Sequence, residues 1–374
     1  MKKLAFFLVS ILLLTSCTKS LKVVVTNPIN LDRTNEIVSV PLQNIVQKLQ
    51  LSDKQQFVIV DQNGKQIPYQ IEADSISVIF LATVKANGTS DYTIRVGKPE
   101  IFAPMTFGRY VPERKDDFAW ENDRIAYRMY GPALADENPS NGVDVWVKST
   151  DSLIVNKRYR DDPKGISYHV DHGQGLDCYK VAHTLGAGGI APYTDTTLWV
   201  GNHYSTWKVI ENGPLRTTFI LTYDSVQVGK TFLKEKLTIS LDAGSQLNKG
   251  SVTYEGTLPP NFQVATGITL HDNKGVMKSD QKAGYIAYAE TATSDAGVPE
   301  GRDYIGVVVP ETITSVKVQD DHLLAIESYQ PQQQFTYYFG AGWSKWGFSS
   351  DQAWFDYVQQ FSQKLQNPLQ VTLQ

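Results

Sequence analysis

Two stretches, residues 216–223 (RTTFILTY) and residues 235–241 (EKLTISL), decide the fold that we predict for this chain. Both alternate apolar with polar side chains and are rich in β-branched residues, which is typical of half-buried β-strands. The same pattern recurs on both sides, at residues 22–26, 56–60, 75–81, 91–96, 124–130, 198–200, 207–210, 249–254, 263–270, 284–289, 305–309 and 335–339. This spacing predicts an all-β protein dominated by a large antiparallel β-sandwich.

The N-terminal runs form a separate group, and we predict a small β-domain over residues 21–98. Asn63-Gly64 lies between two strand-like runs and predicts a hairpin, because both positions tolerate positive φ. Residues 41–51 have helical spacing instead. The segment 98–104, with a proline near each end, leads into the large β-sandwich domain, which we place at residues 99–374.

One helix is predicted near the C-terminus. Ser350 is a suitable N-cap, Asp351 complements the helix dipole, and Asn367-Pro368 ends the helix. An apolar stripe runs along it through Trp354, Phe355, Val358, Phe361 and Leu365. We expect this stripe to pack against the core rather than to bind a partner.

The first residues are typical of a lipoprotein signal peptide. Lys2 and Lys3 precede the apolar run 4–14, which is too short to span a bilayer, and Leu14-Thr15-Ser16 leads into Cys17. We therefore expect cleavage after residue 16, lipidation of Cys17 and a tether over residues 17–20. An ordinary secretory signal is the alternative. No acidic cluster follows Cys17, which favours the periplasmic face of the outer membrane over the cell surface.

Composition excludes several classes of protein. Without the signal peptide and Cys17, one cysteine remains, Cys178, so a disulfide framework and a cysteine-based zinc site are excluded. The net charge of −4 offers no basic surplus for nucleic acid. The 19 tyrosines and seven tryptophans suit either a sugar-binding surface or a β-rich core.

Chemistry-bearing residues concentrate in one glycine-rich segment. Four of the six histidines lie between residues 169 and 203, and residues 168–179 read YHVDHGQGLDCY. The candidate catalytic residues in it are His169, Asp171, His172, Asp177 and Tyr179. An acid/base site is one interpretation. A site for a divalent metal such as calcium is a weaker one, because the spacing matches no tight ligand motif, and a polar surface loop is the third. We expect no organic cofactor.

Candidate substrate-binding residues lie outside that segment. Arg109, Arg114 and Arg124 belong to a mixed-charge stretch that also contains Trp120, and a guanidinium group can bind a carboxylate through two hydrogen bonds. Further candidates are His203, Arg216 and Trp343. Ion pairing within a solvated loop, and core packing of the tryptophans, are the alternatives. No phosphate-binding glycine loop, serine nucleophile elbow or zinc-protease motif is present.

Several of these motifs together resemble a known family. They are residues 120–123 (WEND), 126–131 (AYRMYG), 142–146 (GVDVW), 168–179 and Gly188-Gly189. The chain from about residue 21 resembles a family of Bacteroidota envelope lipoproteins of unknown function that are encoded with glycan-degrading enzymes. The strands over residues 216–223 and 237–254 look like the galactose-mutarotase-like supersandwich. The resemblance implies an activity of the polysaccharide lyase or oligosaccharide dehydratase type, but it assigns no role to any residue.

The residues fit elimination of water or an alcohol from a uronic acid in an oligosaccharide. We expect His169 to take the proton next to the carboxylate, Tyr179 to protonate the departing oxygen, and Asp171 or Asp177 to orient the histidine. Arg109 or Arg124 would neutralise the carboxylate. A lipid-anchored glycan-binding protein, a glycoside hydrolase and a sugar epimerase on the same fold are the alternatives.

Overall fold

The computed structural model describes residues 19–52, 55–136, 142–272 and 274–374. The predicted signal peptide and Cys17 lie outside these ranges. In the described part of the chain, no helix is both long and apolar enough to cross a membrane.

The described residues up to Val96 form short strands and one helix. They are β1 (Ser20–Thr26), β2 (Arg33–Pro41), α1 (Leu42–Leu49), β3 (Phe57–Val60), β4 (Gln66–Ile67), β5 (Tyr69–Ile71), β6 (Ser77–Val84) and β7 (Thr89–Val96). The hairpin predicted at Asn63-Gly64 joins β3 to β4, with Val60 opposite Gln66. Gly64 has a φ of 78°, a left-handed conformation that glycine adopts without steric cost.

The described residues in the middle of the chain include six strands and a second helix. They are β8 (Thr106–Val111), β9 (Asp117–Asn122), β10 (Ala126–Met129), β11 (Asp144–Trp146), α2 (Val155–Asp161), β12 (Ala187–Thr194) and β13 (Thr197–Leu198). Between α2 and β12 runs the histidine-rich segment, which contains no strand.

Longer strands and the third helix complete the chain. They are β14 (Thr206–Asn212), β15 (Arg216–Val228), β16 (Thr231–Asp242), β17 (Leu247–Glu255), β18 (Gln263–Thr269), β19 (Val276–Asp280), β20 (Tyr285–Thr293), β21 (Pro299–Val308), β22 (Ser315–Gln319), β23 (His322–Ser328), β24 (Phe335–Trp343), α3 (Asp351–Gln366) and β25 (Gln370–Leu373). Residues 216–223 and 235–241, on which the predicted sandwich was based, lie in β15 and β16. These strands pair with each other, with Thr217 opposite Leu241 and Tyr223 opposite Glu235.

Within the described ranges, the strands form five antiparallel sheets. The largest has eight strands in the order β14-β15-β16-β17-β24-β21-β20-β19. It faces a five-stranded sheet, β13-β12-β18-β23-β22, and a four-stranded sheet, β11-β10-β9-β8. The N-terminal layers are a sheet β25-β1-β7-β3-β4 and a sheet β2-β6-β5. The predicted large antiparallel sandwich with a preceding β-layer is confirmed.

The main core lies between the eight-stranded sheet and the two sheets that face it. Phe219 and Leu237 from the large sheet meet Ile268 from β18 and Tyr127 from β10, all fully or almost fully buried. A separate core joins the N-terminal sheets and α1. The short last strand β25 pairs with β1, so the end of the chain completes the N-terminal sheet.

Helix α3 packs on the outer face of the large sheet, as predicted. The Ser350 hydroxyl accepts a hydrogen bond from the Ala353 amide at 3.2 Å, which is the N-cap expected from the sequence. The apolar stripe of α3 covers β20, β21 and β24. The Trp354 indole in this stripe donates a hydrogen bond to the Ile305 carbonyl of β21 at 3.0 Å. The stripe therefore belongs to a core and not to a partner site.

Candidate active site

A buried cluster of charged side chains lies beneath the histidine-rich segment. We call Asp117, Arg128, Asp144 and Asp177 the buried charge cluster. Arg128 is on β10, and its guanidinium lies 2.6 Å from the Asp144 carboxylate, 2.8 Å from that of Asp177 and 3.8 Å from that of Asp117. All four side chains are almost inaccessible to solvent. One arginine therefore joins strands β9, β10 and β11 to the histidine-rich segment.

Aromatic rings surround this arginine. The guanidinium lies 4.7 Å from the ring centre of Tyr130, 5.1 Å from that of Trp146 and 5.6 Å from that of Tyr168. Burial raises the pKa of both Asp144 and Asp177 above the ordinary value, while Arg128 opposes that rise. Buried ion pairs of this kind add little net stability, but losing one partner is costly because the other charge stays buried.

His169 lies where the buried charge cluster meets solvent. Its side chain is 35% exposed, and its Nδ1 is 3.3 Å from the Asp177 carbonyl oxygen and 3.5 Å from the Asp177 carboxylate. The carboxylate of Asp295, which is itself 62% exposed, is also 3.5 Å from this nitrogen. The oxygen atoms near Nδ1 are hydrogen-bond acceptors, so they favour the tautomer that carries hydrogen on Nδ1. In that neutral imidazole, Nε2 is the basic atom. The predicted pairing of His169 with Asp177 is therefore present in the structure.

The other two polar candidates of the segment have different surroundings. Asp171 Oδ1 accepts hydrogen bonds from the amides of Gly173, Gln174 and Gly175 at 2.8–3.1 Å, so Asp171 shapes the turn and does not orient a histidine. His172 is exposed, and its Nε2 lies 3.1 Å from the Ser167 carbonyl. The structure does not bring His172 to the buried charge cluster.

Tyr179 belongs to a second polar group that the sequence analysis did not identify. It is 4% exposed, and its ring packs edge-on against His271, with centres 4.8 Å apart. Burial, together with the charges of Glu290 and Asp303, raises its pKa well above the ordinary value. The phenol thus keeps its proton but is shielded from solvent, which argues against its predicted role as the acid that protonates the substrate.

The surroundings of His271 favour its protonated form. Its Nδ1 lies 2.6 Å from the Glu290 carboxylate, and its Nε2 contacts the Lys180 carbonyl oxygen. Both partners are acceptors, so both ring nitrogens carry hydrogen. Burial lowers the pKa of His271, but the hydrogen bond and charge of Glu290 outweigh burial and raise it overall. The side chain of His271 is 29% exposed, and its charge when protonated is paired with Glu290.

Asp303 lies between the two histidine sites. It is 3% exposed, and the Cys178 thiol is 3.8 Å from its carboxylate. Burial and the neighbouring Glu290 raise the pKa of Asp303 to about 7, although His271 opposes the shift. Burial also raises the pKa of the Cys178 thiol, which therefore stays protonated and is not a nucleophile.

The structure places the remaining tryptophan candidates in the core. Trp120 is fully buried, stacks on Tyr127 and donates a hydrogen bond to Asn248 at 2.7 Å. Trp343 is 1% exposed and donates to the Glu300 carbonyl at 2.8 Å. The prediction that these indoles bind substrate was wrong, because both rings are buried and both N–H groups donate to acceptors within the protein.

The predicted arginine clamps are engaged elsewhere. Arg109 pairs with Glu113 and donates to Asn156 at 2.7 Å, and Arg216 pairs with Asp242 and Glu72. Arg124 is 3.3 Å from Asp123 and lies over the Trp346 ring at 5.9 Å. None of these contacts joins His169. Arg114 does come close, since its Nε donates to the Tyr168 hydroxyl at 3.3 Å. His203 lies half-buried before β14.

The residues that sequence reasoning missed carried a readable signal. Arg128 and Asp144 stand inside apolar strands, where a charged side chain needs a buried partner. Glu290 likewise interrupts the apolar run of β20, and Asp303 directly precedes that of β21. Among the described residues, no group of three His, Cys, Asp or Glu side chains is arranged to hold a metal ion.

Comparisons with known proteins show a relative and a shared fold. "Uncharacterized protein P7" of Formosa agariphila is 29% identical over 404 residues, covering 99% of this chain and 98% of that protein. Two solved structures from Enterococcus faecalis, each at 9% identity and covering 95% of this chain, are similar in fold. One is a protein in the glycosyl hydrolase family 38 (TM-score 0.53), and the other is an α-mannosidase (TM-score 0.52).

The chain spans about half the length of those two solved proteins, 47% and 46%. At that identity the likeness shows the fold alone, a β-sandwich found in sugar-processing proteins. Family membership follows from the sequence match, which extends from residue 25 to residue 371. The chain belongs to the family described as "Domain of unknown function (DUF4861)".

Proposed function

We propose that the protein is a carbohydrate-active enzyme that eliminates water or an alcohol from a uronic acid in an oligosaccharide, with His169 as the base. The observation that carries this proposal is the chain of contacts from Arg128 through Asp177 to His169. A buried arginine fixes the carboxylate, and the carboxylate holds a histidine that is open to solvent. A structural histidine needs no such support, whereas a general base does.

The reaction needs few groups. His169 Nε2 takes the proton from the carbon next to the substrate carboxylate, a carbon–carbon double bond forms, and the bond to the departing oxygen breaks. In our proposal the resulting imidazolium gives the same proton to that oxygen, so one side chain acts as base and then as acid. Arg109 and Arg124 are engaged elsewhere, so in our proposal Arg114, whose guanidinium contacts the Tyr168 hydroxyl beside His169, neutralises the substrate carboxylate in their place.

The test is a single incubation with two readouts. Uronic-acid oligosaccharides from pectin, ulvan and arabinogalactan are incubated with the protein, and both ultraviolet absorbance of unsaturated uronic acids and new reducing ends are followed. We expect absorbance to increase with the wild-type protein. In His169→Ala the rate of this increase should be lower by about 100-fold or more. No absorbance change on any of the three substrates would refute elimination.

Glycoside hydrolysis is the second candidate, because the two solved proteins of similar fold are a glycosyl hydrolase family 38 protein and an α-mannosidase. Such an activity would need two carboxyl groups on either side of the scissile bond. New reducing ends without ultraviolet absorbance would select this candidate.

We also propose that the protein works in the cell envelope, anchored by lipid on Cys17 and facing the periplasm. The support is the signal-like sequence of residues 1–17. Two acyl chains give stable anchoring, since each buried methylene contributes about 0.8 kcal/mol. Cys17→Ser should move the protein from the membrane fraction to the soluble fraction, and an unchanged distribution would contradict lipidation.

A further inference from the structure

A cavity of about 840 Å³ lies well apart from His169 in the fold, between the N-terminal layer and the outer face of the large sheet. We call it the outer-face cavity. Its walls are β2, the strands β15, β16, β17 and β24, the C-terminal half of α3, and the segment before β25. Its volume is typical of sites for small ligands. Neither His169 nor any other residue of the histidine-rich segment lines it.

The floor of the cavity is a row of polar side chains that crosses four strands. Thr218 is opposite Ser240, Ser240 is opposite Lys249, and Lys249 is opposite Tyr338. Residues paired in this way lie on the same face of the sheet, with Cβ atoms about 5 Å apart. The hydroxyls of Thr218 and Ser240 are 2.9 Å apart. The row offers three hydroxyl groups and an ammonium group side by side.

An aromatic wall stands above this row. The ring of Phe361 from α3 meets that of Tyr338 at 5.2 Å, and Tyr357 lines the cavity one helical turn earlier. Hydroxyl groups next to aromatic faces are suited to a polyhydroxylated ring, because sugars combine polar edges with apolar faces.

The carboxylates of the cavity already have partners. Glu36 is bound by the buried guanidinium of Arg33, and Glu72 and Asp242 share Arg216. The fourth carboxylate, Glu211, accepts hydrogen bonds from Gln70, Thr218 and the Ala73 amide at 2.7–3.2 Å. These contacts fix the negative charges within the protein.

The two lysines of the cavity lack such partners. Within the described part of the chain, neither Lys249 Nζ nor Lys364 Nζ donates a hydrogen bond or lies within salt-bridge distance of a carboxylate. Lys364 is half-buried, and burial lowers its pKa although the charge of Glu36 opposes the shift. Lys249 is exposed. Since no carboxylate of the described ranges holds either ammonium group, both can pair with an anion from outside.

We infer that the outer-face cavity binds an anionic saccharide, whose carboxylate or sulfate groups pair with Lys249 and Lys364 while its ring lies against Tyr338. This is a binding site separate from the candidate active site, and it does not depend on the proposed elimination. It would hold an acidic glycan chain on the opposite side of the large sheet from the core.

The test is calorimetric titration of the full chain. Trigalacturonate and a sulfated galacto-oligosaccharide are the acidic probes, and neutral galactotriose is the matched control. Titrations use the His169→Ala variant, so that the probe is not consumed and binding is measured whether or not the protein is an enzyme. We expect at least one acidic probe to bind, and its Kd to rise about tenfold or more in Lys249→Ala and in Lys364→Ala.

Control variants keep the result interpretable. Lys236→Ala removes an exposed lysine from β16 that does not line the cavity, and it should change the Kd by less than about twofold. Lys249→Arg keeps the charge and should retain binding. A Kd that is unchanged in both lysine-to-alanine variants, equally tight binding of galactotriose, or no binding of either acidic probe would overturn the inference.

Discussion

Around Arg128, three carboxylates are buried with one guanidinium and the assembly holds His169 at the surface. In the outer-face cavity, the carboxylates are paired with arginines or hydrogen-bond donors. Among the described residues, the ammonium groups of its two lysines form no hydrogen bond or salt bridge. The first region uses buried charge to fix the position of one imidazole. The second leaves charge uncompensated where a ligand could reach it. The pairing of charges, more than their number, therefore distinguishes a site for proton transfer from a site for binding.

The largest expected effect is on stability, from Arg128→Met. The change leaves Asp144 and Asp177 buried without their cation, so the free energy of unfolding should fall by about 3–5 kcal/mol. The loss should be larger at pH 8 than at pH 5, because the uncompensated carboxyls must ionise at the higher pH. Urea denaturation at the two pH values measures it.

Arg216→Met is the matched control from the outer-face cavity. Its side chain is 22% exposed, so water can solvate the carboxylates it leaves behind, and we expect a loss of about 1 kcal/mol. Equal losses in the two variants would remove the distinction between the two regions.

The second prediction concerns the effect of pH on stability through Glu235, a carboxylate that is buried without a neighbouring cation among the described residues. Burial raises the pKa of Glu235 to about 8, while the Tyr254 hydroxyl opposes the shift. Between about pH 5 and pH 8 the folded protein holds this proton and the unfolded chain does not, so stability falls as pH rises, by about 1.4 kcal/mol per pH unit for one proton. Glu235→Gln should reduce that slope, as measured by denaturation across this range. A slope identical to that of the wild type would show that Glu235 does not titrate there.

The third prediction concerns the orientation of His169. Asp177→Asn keeps the shape of the side chain but removes the charge beside Nδ1, and kcat should fall by about 10- to 100-fold with little change in KM. Asp295→Asn is the comparison, because that carboxylate is equally near Nδ1 but exposed, and kcat should change by less than about threefold. An effect confined to KM, or the same effect in both variants, would contradict a positioning role for Asp177.

The smallest effect is expected from Tyr338→Phe in the outer-face cavity. The change removes one hydroxyl and keeps the ring, so affinity for the acidic probe should fall by about two- to tenfold, the usual range for one hydrogen bond. Calorimetry under the conditions used for the lysine variants measures it. A tighter complex in Tyr338→Phe would show that the hydroxyl does not face the ligand.

Local patterns predicted the fold well. The alternation in β15 and β16, the Asn63-Gly64 hairpin and the capped helix α3 each depend on residues that are neighbours in the chain, and each was confirmed. The pairing of β25 with β1 could not be predicted, because a four-residue strand carries little signal and its partner lies more than 300 residues away.

The site was predictable only in part, for a related reason. His169 and Asp177 are eight residues apart, and their pairing was among the expected contacts. Arg128, His271 and Asp303 come from parts of the chain that are far apart in sequence. Their spacing in the sequence therefore does not indicate how close they are in the fold. Trp120 shows the opposite error, because composition cannot separate an aromatic core residue from a sugar-binding one.

The most direct test of His169 as the base compares it with His172, three residues further along the chain. Rates of unsaturated uronic acid formation are measured for His169→Ala and His172→Ala, with thermal unfolding to confirm that both fold. We expect a loss of about 100-fold or more for His169→Ala and a change of less than about twofold for His172→Ala. Equal rates in the two variants would contradict the assignment of His169 as the base.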